Sequence, residues 1–438
     1  MAFLYLSKAL DSSYSGLFYI IQIEFLHIVQ EISIMETTKS LIKLSDRMDF
    51  LPPYLFGKIN EVKLKKRRRG IDIIDLAMGN PSDPTPQPII DKLREAAQDP
   101  RNHRYSAAAG IYNFRKEIAK YYETHYQVSL NPDDEVLSTI GSKEGVSHLS
   151  LALLGLGDTA IVPVPAFPIH IYSVVIAGGN VIHVPIVDDE KFLKTVDHLC
   201  KTTLPKPKVL FLNYPHNPTT KTVEIGFFEE IVKMAKKNNL IVVHDFAYGR
   251  ITFDGYKAPS LLQVKGAKDV GVEFGTMSKS YNMAGWRVGY CAGNSTIVGA
   301  LEKIKGYYDY GLFQAIQIAA IIALRDCEDF IKTQVSVYEN RRDVLCDGLN
   351  SIGWNVEKPK ASMFVWTQIP EQFKEMGSLN FAIKLMKEAE VAVSPGVGFG
   401  KEGEGYIRMA LVENENRTRQ AIKQIKRVLN GKTNKKIT

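Results

Sequence analysis

From residue 136 onward, short runs of apolar and β-branched residues alternate with longer stretches whose apolar positions recur at helical spacing. The runs are VLSTI (136–140), TAIVPV (159–164), VIHVPI (181–186), KVLFLN (208–213), LIVVHD (240–245), GVEFGT (271–276) and VGYCAG (288–293). Several are apolar nearly throughout, the pattern of strands buried on both faces. Between them lie helix candidates such as EGVSHLSLALLGLG (144–157) and GFFEEIVKMAKKNNL (226–240). This alternation predicts an α/β fold, a mainly parallel seven-stranded sheet wrapped by helices. In such a sheet ligands sit beyond the carboxyl ends of the strands. After about residue 312 the pattern changes. QAIQIAAIIALRD and the stretch up to Val344 predict long helices, followed by MFVWTQI, a helix near Phe381 to Glu388, VAVSPG and YIRMALV (406–412). These predict a smaller α+β domain, joined by a segment from Met35 to about Gly79. The expected division is 1–34 as a leader or mis-called start and 35–80 as an N-terminal arm with part of the small domain. A large domain over 81–325 and the rest of the small domain over 326–438 complete it. No internal repeat interrupts this order.

Composition changes the picture little. Of 438 residues 45% are hydrophobic and 24% charged, enough for a large core, and the net charge of +7 is mild for this length. The densest basic run, KLKKRRRG (63–70), has no interleaved aromatics and reads as a solvated helix end with Gly70 as its cap. No nucleic-acid partner is expected. The stretch 18–34 is apolar but carries Glu24 and Glu31, and the uncharged run from Ser12 to Ile23 is too short to cross a bilayer. It lacks the basic start and cleavage site of a signal peptide. No membrane partner is expected, and Met35 is taken as the working start. Cys200, Cys291, Cys327 and Cys346 are far apart and read as reduced thiols of a cytoplasmic protein. The histidines show no HxxxH spacing, so no metal is expected.

The chemistry gathers just past the predicted strands. After VLSTI comes GSKEG, opening a helix at Ser142 and Lys143 whose free N–H groups favour an anion. After TAIVPV, Phe167 stands between two prolines and offers a flat ring to a planar ligand. After KVLFLN comes YPHNPTT, in which the Asn217 amide can bond a ligand oxygen. After LIVVH come Asp245, a carboxylate that needs a cationic partner, and Tyr248, a phenol donor. After GVEFGT comes TMSKSYNMAGWRVGY (276–290), with Thr276, Ser278, Lys279 and Arg287. Each alone also fits a plain structural role: a helix cap, a packed aromatic, a turn, a salt bridge, a polar loop. Together they supply an anion cradle, a stacking ring, two donors for an oxygen, a buried carboxylate and an amine. Pyridoxal 5'-phosphate matches all of these, its aldehyde taking the lysine and its ring nitrogen the aspartate.

From about Leu51 to the C-terminus, the ordered set SKEG, PAFP, NYPHNPT, HDFAYG, SKSYNMAGWRVG and YIRMAL resembles the class I/II aminotransferases of the aspartate aminotransferase superfamily. LPPYLF, RRRGIDIIDLAMGNPSDPTP, PIHIY and YYDYG are similar to the bacterial alanine-synthesising, glutamate–pyruvate branch, with LL-diaminopimelate aminotransferases near it. The resemblance implies the type I pyridoxal-phosphate transferase fold and a homodimer with shared active sites. It implies a Schiff base on Lys279, which also shuttles the proton. It implies Asp245 on the ring nitrogen, Asn217 and Tyr248 on the ring hydroxyl, and Phe167 on the ring face. Ser142, Lys143, Ser278 and Arg287 would hold the phosphate, with Thr276 in a place that is serine in some relatives. Tyr105 would reach the neighbouring subunit's phosphate. Arg408 would bind the substrate α-carboxylate, Asn217 would also touch the substrate, and Tyr54 and Gly79 would line the substrate pocket. Burial and Arg287 are expected to lower the Lys279 pKa so that it serves as a base. The expected reaction is alanine with 2-oxoglutarate, giving pyruvate and glutamate. The alternatives are an LL-diaminopimelate or other amino acid aminotransferase and a carbon–sulfur lyase on the same fold. A ligand-sensing domain of a transcription regulator is a weaker one, because residues 1–50 are too short and apolar for a DNA-binding module.

Overall fold

A computed structural model of the chain describes residues 42–52, 55–186 and 188–431. The expected leader over 1–34 and the pocket residue Tyr54 lie outside these. The chain divides into two units, Met1–Phe50 and Leu51–Thr438. In the first, the described residues 42–50 are exposed and contain one short 3-10 turn, Asp46–Met48.

The helix Leu55–Arg68 ends in four cations, Lys65, Lys66, Arg67 and Arg68. Gly70 follows at φ +74°, and its N–H donates to Arg67 O at 2.9 Å. The basic run is therefore a helix C-terminus, where the macrodipole favours cations and a left-handed residue suits glycine. Within it, Lys63 is buried and pairs with Asp75 at 2.6 Å, on the short strand β1 (Ile74–Asp75).

The central sheet contains β2 (Val136–Thr139), β3 (Thr159–Val164), β4 (Asn180–Pro185), β5 (Pro207–Leu212), β6 (Ile241–Asp245), β7 (Gly271–Thr276) and β8 (Gly289–Gly293). Their order is β2-β8-β7-β6-β5-β3-β4, with β8 antiparallel to both neighbours and the remaining pairs parallel. Side-chain alternation divides the interior into two cores. Leu210 and Leu212 enter one, with Ile161 and Val242. Val209 and Phe211 enter the other, with Val162 and Phe274. The apolar run at 181–186 forms the edge strand β4 and is mostly half-exposed or exposed, which suits a position paired on one side only.

The chain passes to a third core near Cys327. The helix Gln314–Asp326 still packs on the sheet through Ala319, Ala320 and Ala323. The next helix, Glu328–Asn350, places Tyr338, Leu345 and Leu349 in a separate cluster with Trp354, Phe364, Phe381 and Met409. There β9 (Phe364–Gln368) pairs antiparallel with β12 (Tyr406–Ala410), which also pairs with β11 (Ser394–Pro395). β10 (Val391–Ala392) pairs parallel with β1, so Ile74 and Leu76 belong to this cluster. The segment preceding the sheet is thus bound into the C-terminal core by backbone pairing as well as by apolar contact. Among the described residues no helix is long and apolar enough to cross a membrane. All four cysteines are buried and unpaired with one another.

Candidate active site

The carboxyl ends of β5, β6 and β7 meet the middle of β12 in one polar cluster. Asp245 is the last residue of β6 and is 6% exposed. Its Oδ2 lies 3.0 Å from His170 Nε2, the spacing at which the ring N–H donates to the carboxylate. Its Oδ1 is buried and has no hydrogen-bond partner among the described residues. The sequence reading set a ring nitrogen against Asp245 and missed His170 as its partner within the chain. It stands in the first turn of the helix Pro168–Ile176, three residues after Phe167, and its ring stacks on Phe211. Phe167 is half-buried at the head of that helix, in the loop leaving β3.

Asn217 and Arg408 join the sheet to the C-terminal core. Asn217 is 4% exposed, its Nδ2 donating to Tyr248 Oη at 3.3 Å and its Oδ1 accepting from Arg408 Nη1 at 2.7 Å. Arg408 Nη2 donates to Ala77 O (3.1 Å) and Ser394 Oγ (3.4 Å). The guanidinium lies between two rings, 4.0 Å from the centre of Phe364 and 4.6 Å from that of Phe399. These contacts fix the planar fork at one orientation. Burial pushes the Tyr248 phenol up, so it is a neutral donor at ordinary pH.

Lys279 lies in the helical turn Met277–Ser280 directly after β7, and its Nζ donates to Gly79 O at 2.5 Å. A side chain at Gly79 is excluded because its Cβ would stand 2.5 Å from Phe364 Cζ. The Lys279 ammonium is pushed down to about 8, first by burial, then by Arg408 and then by Arg287, with Asp245 opposing. Burial and Arg287 act as the sequence reading expected, and Arg408, across the site, adds a larger contribution than Arg287. A lysine that ionises lower in the fold than in the open chain makes stability depend on pH. Between about 8 and 10.5 the unfolded chain holds the additional proton, so stability rises with pH across that window. Below it a fixed cost of at most about 3 kcal/mol remains. Lys279→Met should therefore be more stable than wild type in unliganded protein at pH 7, with the difference shrinking towards pH 10. Urea unfolding across that range measures it, and a pH-independent difference would contradict a depressed Lys279.

The anion cradle forms around Gly141, at φ +76°. A Cβ there would lie 2.5 Å from Arg287 Nη2, so glycine is needed both for the backbone and for the close approach of the guanidinium. Arg287 itself adopts φ +58°, and its Nη1 donates to Ala284 O at 3.0 Å. The helix Ser142–Leu153 makes its first backbone bond from Gly145 N to Gly141 O. The N–H groups of Ser142, Lys143 and Glu144 are left outside the helix ladder, beside Arg287. The Lys143 side chain is exposed, and its backbone N–H is one of the three outside the ladder. Ser278 is buried next to Thr276, whose hydroxyl accepts from Ser278 N–H (3.1 Å) and donates to Val288 O (3.0 Å). Thr276 is thus engaged in its own turn as a cap. Tyr105 is 92% exposed, its ring 5.5 Å from that of Tyr310.

A second polar group adjoins the cradle helix. Glu144, His148 and Asp309 approach within metal-ligand distance of one another. Lys305 Nζ is fully buried there, 2.9 Å from Glu144 Oε1 and 3.1 Å from Asp309 Oδ1, and takes the place of a cation. Glu144 and His148 lie on one helix and Asp309 caps the end of another, with a single histidine among them, so no HxxxH spacing marks the arrangement in the sequence.

Comparison with known proteins agrees with this chemistry. Residues 71–425 match the family described as aminotransferase class I and II. The chain is 52% identical over 380 residues to the glutamate-pyruvate aminotransferase AlaC of Escherichia coli K12, covering 87% of this chain and 92% of that one. It is 43% identical over 383 residues to an LL-diaminopimelate aminotransferase of Moorella thermoacetica, covering 87% and 97%. Among solved structures, substrate-bound BacF of Bacillus subtilis superimposes with a TM-score of 0.82 at 33% identity, covering 89% and 98%. An aspartate aminotransferase of Thermotoga maritima does so with 0.81 at 27%, covering 88% and 100%.

Proposed function

The chain belongs to the class I and II aminotransferases, a family that uses pyridoxal phosphate, and from that premise we propose that it transfers the amino group of L-alanine to 2-oxoglutarate, giving pyruvate and glutamate. The observation that carries the alanine reading is the 52% identity to a glutamate-pyruvate aminotransferase along 92% of its length.

The residues fit the cofactor. Asp245 Oδ1, buried and unpartnered among the described residues, suits a protonated ring nitrogen, and His170 holds the other carboxylate oxygen in place. The helix N-terminus at Ser142, the Lys143 N–H, Ser278 and Arg287 suit a phosphate, with Thr276 supporting the turn of Ser278. Asn217 Nδ2 and Tyr248 Oη suit the ring oxygen, and the half-buried Phe167 suits a ring face. When bound, pyridoxal phosphate supplies an aldehyde for the amino group and a ring that draws off the electron pair left by the α-proton.

The chain's own part is binding and proton transfer. Arg408 receives the substrate α-carboxylate with its two-pronged fork, oriented by Asn217 Oδ1 and the flanking rings. Lys279 Nζ, neutral above about pH 8, removes the α-proton and returns it to the cofactor side. Phe364 and Phe399 keep water from Arg408 and sharpen its charge. Gly79, whose carbonyl accepts from Lys279, borders the space left for the substrate. We take the working form to be a cytoplasmic homodimer. The exposed ring of Tyr105, beside Tyr310, fits a face covered by a second copy that shares the site, and Tyr307 is exposed as well, at 86%.

The 43% identity to an LL-diaminopimelate aminotransferase supports a second reading in which that diamino acid is the donor. A donor panel of L-alanine, L-glutamate and LL-diaminopimelate against pyruvate and 2-oxoglutarate separates the two. Alanine and glutamate should exceed LL-diaminopimelate in kcat/KM by at least about tenfold. The reverse order would move the assignment to the second reading. Pyruvate released without any 2-oxo acid would instead identify a lyase.

A further inference from the structure

Asn213 is the first residue after β5 and is 3% exposed. β5 and β6 run parallel with Leu212 opposite His244, which brings Asn213 alongside Asp245 where the ladder ends. Both ends of its amide are used. Nδ2 donates to the backbone oxygen of Asp245 at 2.7 Å, and Oδ1 accepts from the backbone N–H of Asn217 at 2.9 Å. A longer contact runs from Nδ2 to Pro215 O at 3.5 Å.

We propose that Asn213 is a positioning residue whose single amide sets the separation between Asp245 and Asn217, and so between the groups that face the two sides of the cofactor ring. The proposal rests on the cofactor reading above. The intervening loop, Tyr214-Pro215-His216, sends Tyr214 N–H to His244 Nε2 (3.2 Å) and His216 N–H to Lys221 O (2.9 Å). Neither bond reaches Asp245 or Asn217. The Asn213 amide is the direct tie between them. Its reach extends further, because Asn217 in turn holds Tyr248 and Arg408. The role needs a donor and an acceptor at fixed spacing on a short side chain. Leucine keeps the volume and supplies neither, and aspartate keeps only acceptors and faces the Asp245 carbonyl with one of them. The competing reading is a turn-stabilising asparagine that matters for the loop alone.

The two readings differ in what they move. The test uses full-length wild type, Asn213→Leu and Asn213→Asp. Apoprotein is titrated with pyridoxal phosphate by absorbance. The pH midpoint of the visible band of the holoprotein, kcat and KM for alanine, and Tm are measured on the same preparations. We expect both variants to fold, to bind cofactor about tenfold more weakly, to show a shifted visible midpoint, and to lose more in kcat than in KM. Wild-type affinity with an unshifted midpoint in either folded variant, whatever its Tm, overturns the proposal. Failure of both variants to fold overturns it too, by assigning Asn213 to the fold alone. A wild type that takes up no cofactor fails the preceding reading instead, and its titration curve reports that separately.

Discussion

Replacing Lys279 with alanine should lower transamination by more than about 10⁴-fold while leaving the fold intact. The side chain makes one hydrogen bond, to Gly79 O, and its ammonium is buried at a cost shown by its depression to about 8. Removing it relieves a desolvated charge, so the variant is expected to keep its fold. Lys279→Arg should be equally inactive for a different reason. Guanidinium keeps the charge but does not deprotonate, so it serves neither as base nor as amine. Steady-state assay with alanine and 2-oxoglutarate, together with circular dichroism and Tm, measures both variants. Borohydride treatment of wild-type holoprotein should fix the cofactor on Lys279 and on no other lysine. Activity of Lys279→Ala within a hundredfold of wild type would falsify the assignment.

The large features of this site were legible because strand ends are legible. Runs of β-branched residues mark β3 and β7 to the residue, and the chemistry follows immediately in sequence at Phe167 and at Thr276 to Lys279. A buried strand has to be apolar, so a polar residue at its exit stands out without any knowledge of the fold. The partners of those residues were not legible. His170 meets Asp245 across 75 positions, and Arg408 meets Asn217 across 191. Nothing in a local window distinguishes His170 from a histidine packed in a helix. The effect of Arg408 on Lys279 was hidden in the same way. Arg287 is eight residues away in sequence and was recognised, whereas Arg408 comes from the other core and acts more strongly. Asn213 was read as the last residue of a strand, and only the register of β5 on β6 gives its amide two backbone partners. Resemblance to a family supplied the role of Arg408, and its geometry then shows why an arginine is held there: two rings and three oxygen acceptors leave its plane a single orientation.

That orientation makes the second large effect specific. Arg408→Ala should raise KM for alanine and for 2-oxoglutarate by roughly 10²–10³-fold, within the roughly 2–5 kcal/mol of a buried charge-assisted pair. It should also alter the base. Arg408 is the largest charge that lowers Lys279, so its removal raises the lysine pKa, and less of the amine is neutral at a given pH. The rising limb of the pH–rate profile should move to higher pH. Arg408→Lys separates the two contributions. A lysine returns a positive charge near Lys279 and should bring the pH limb back towards its wild-type position. It cannot reproduce the two-pronged contact, so KM should stay high. Loss of packing against Phe364 and Phe399 will lower Tm in both variants, and for that reason Tm does not discriminate between them. The discriminating result is the split: pH limb restored and KM not restored in Arg408→Lys. An unchanged KM in Arg408→Ala removes Arg408 from substrate binding, and an unmoved pH limb would mean that the charge coupling to Lys279 is screened by solvent entering between the two.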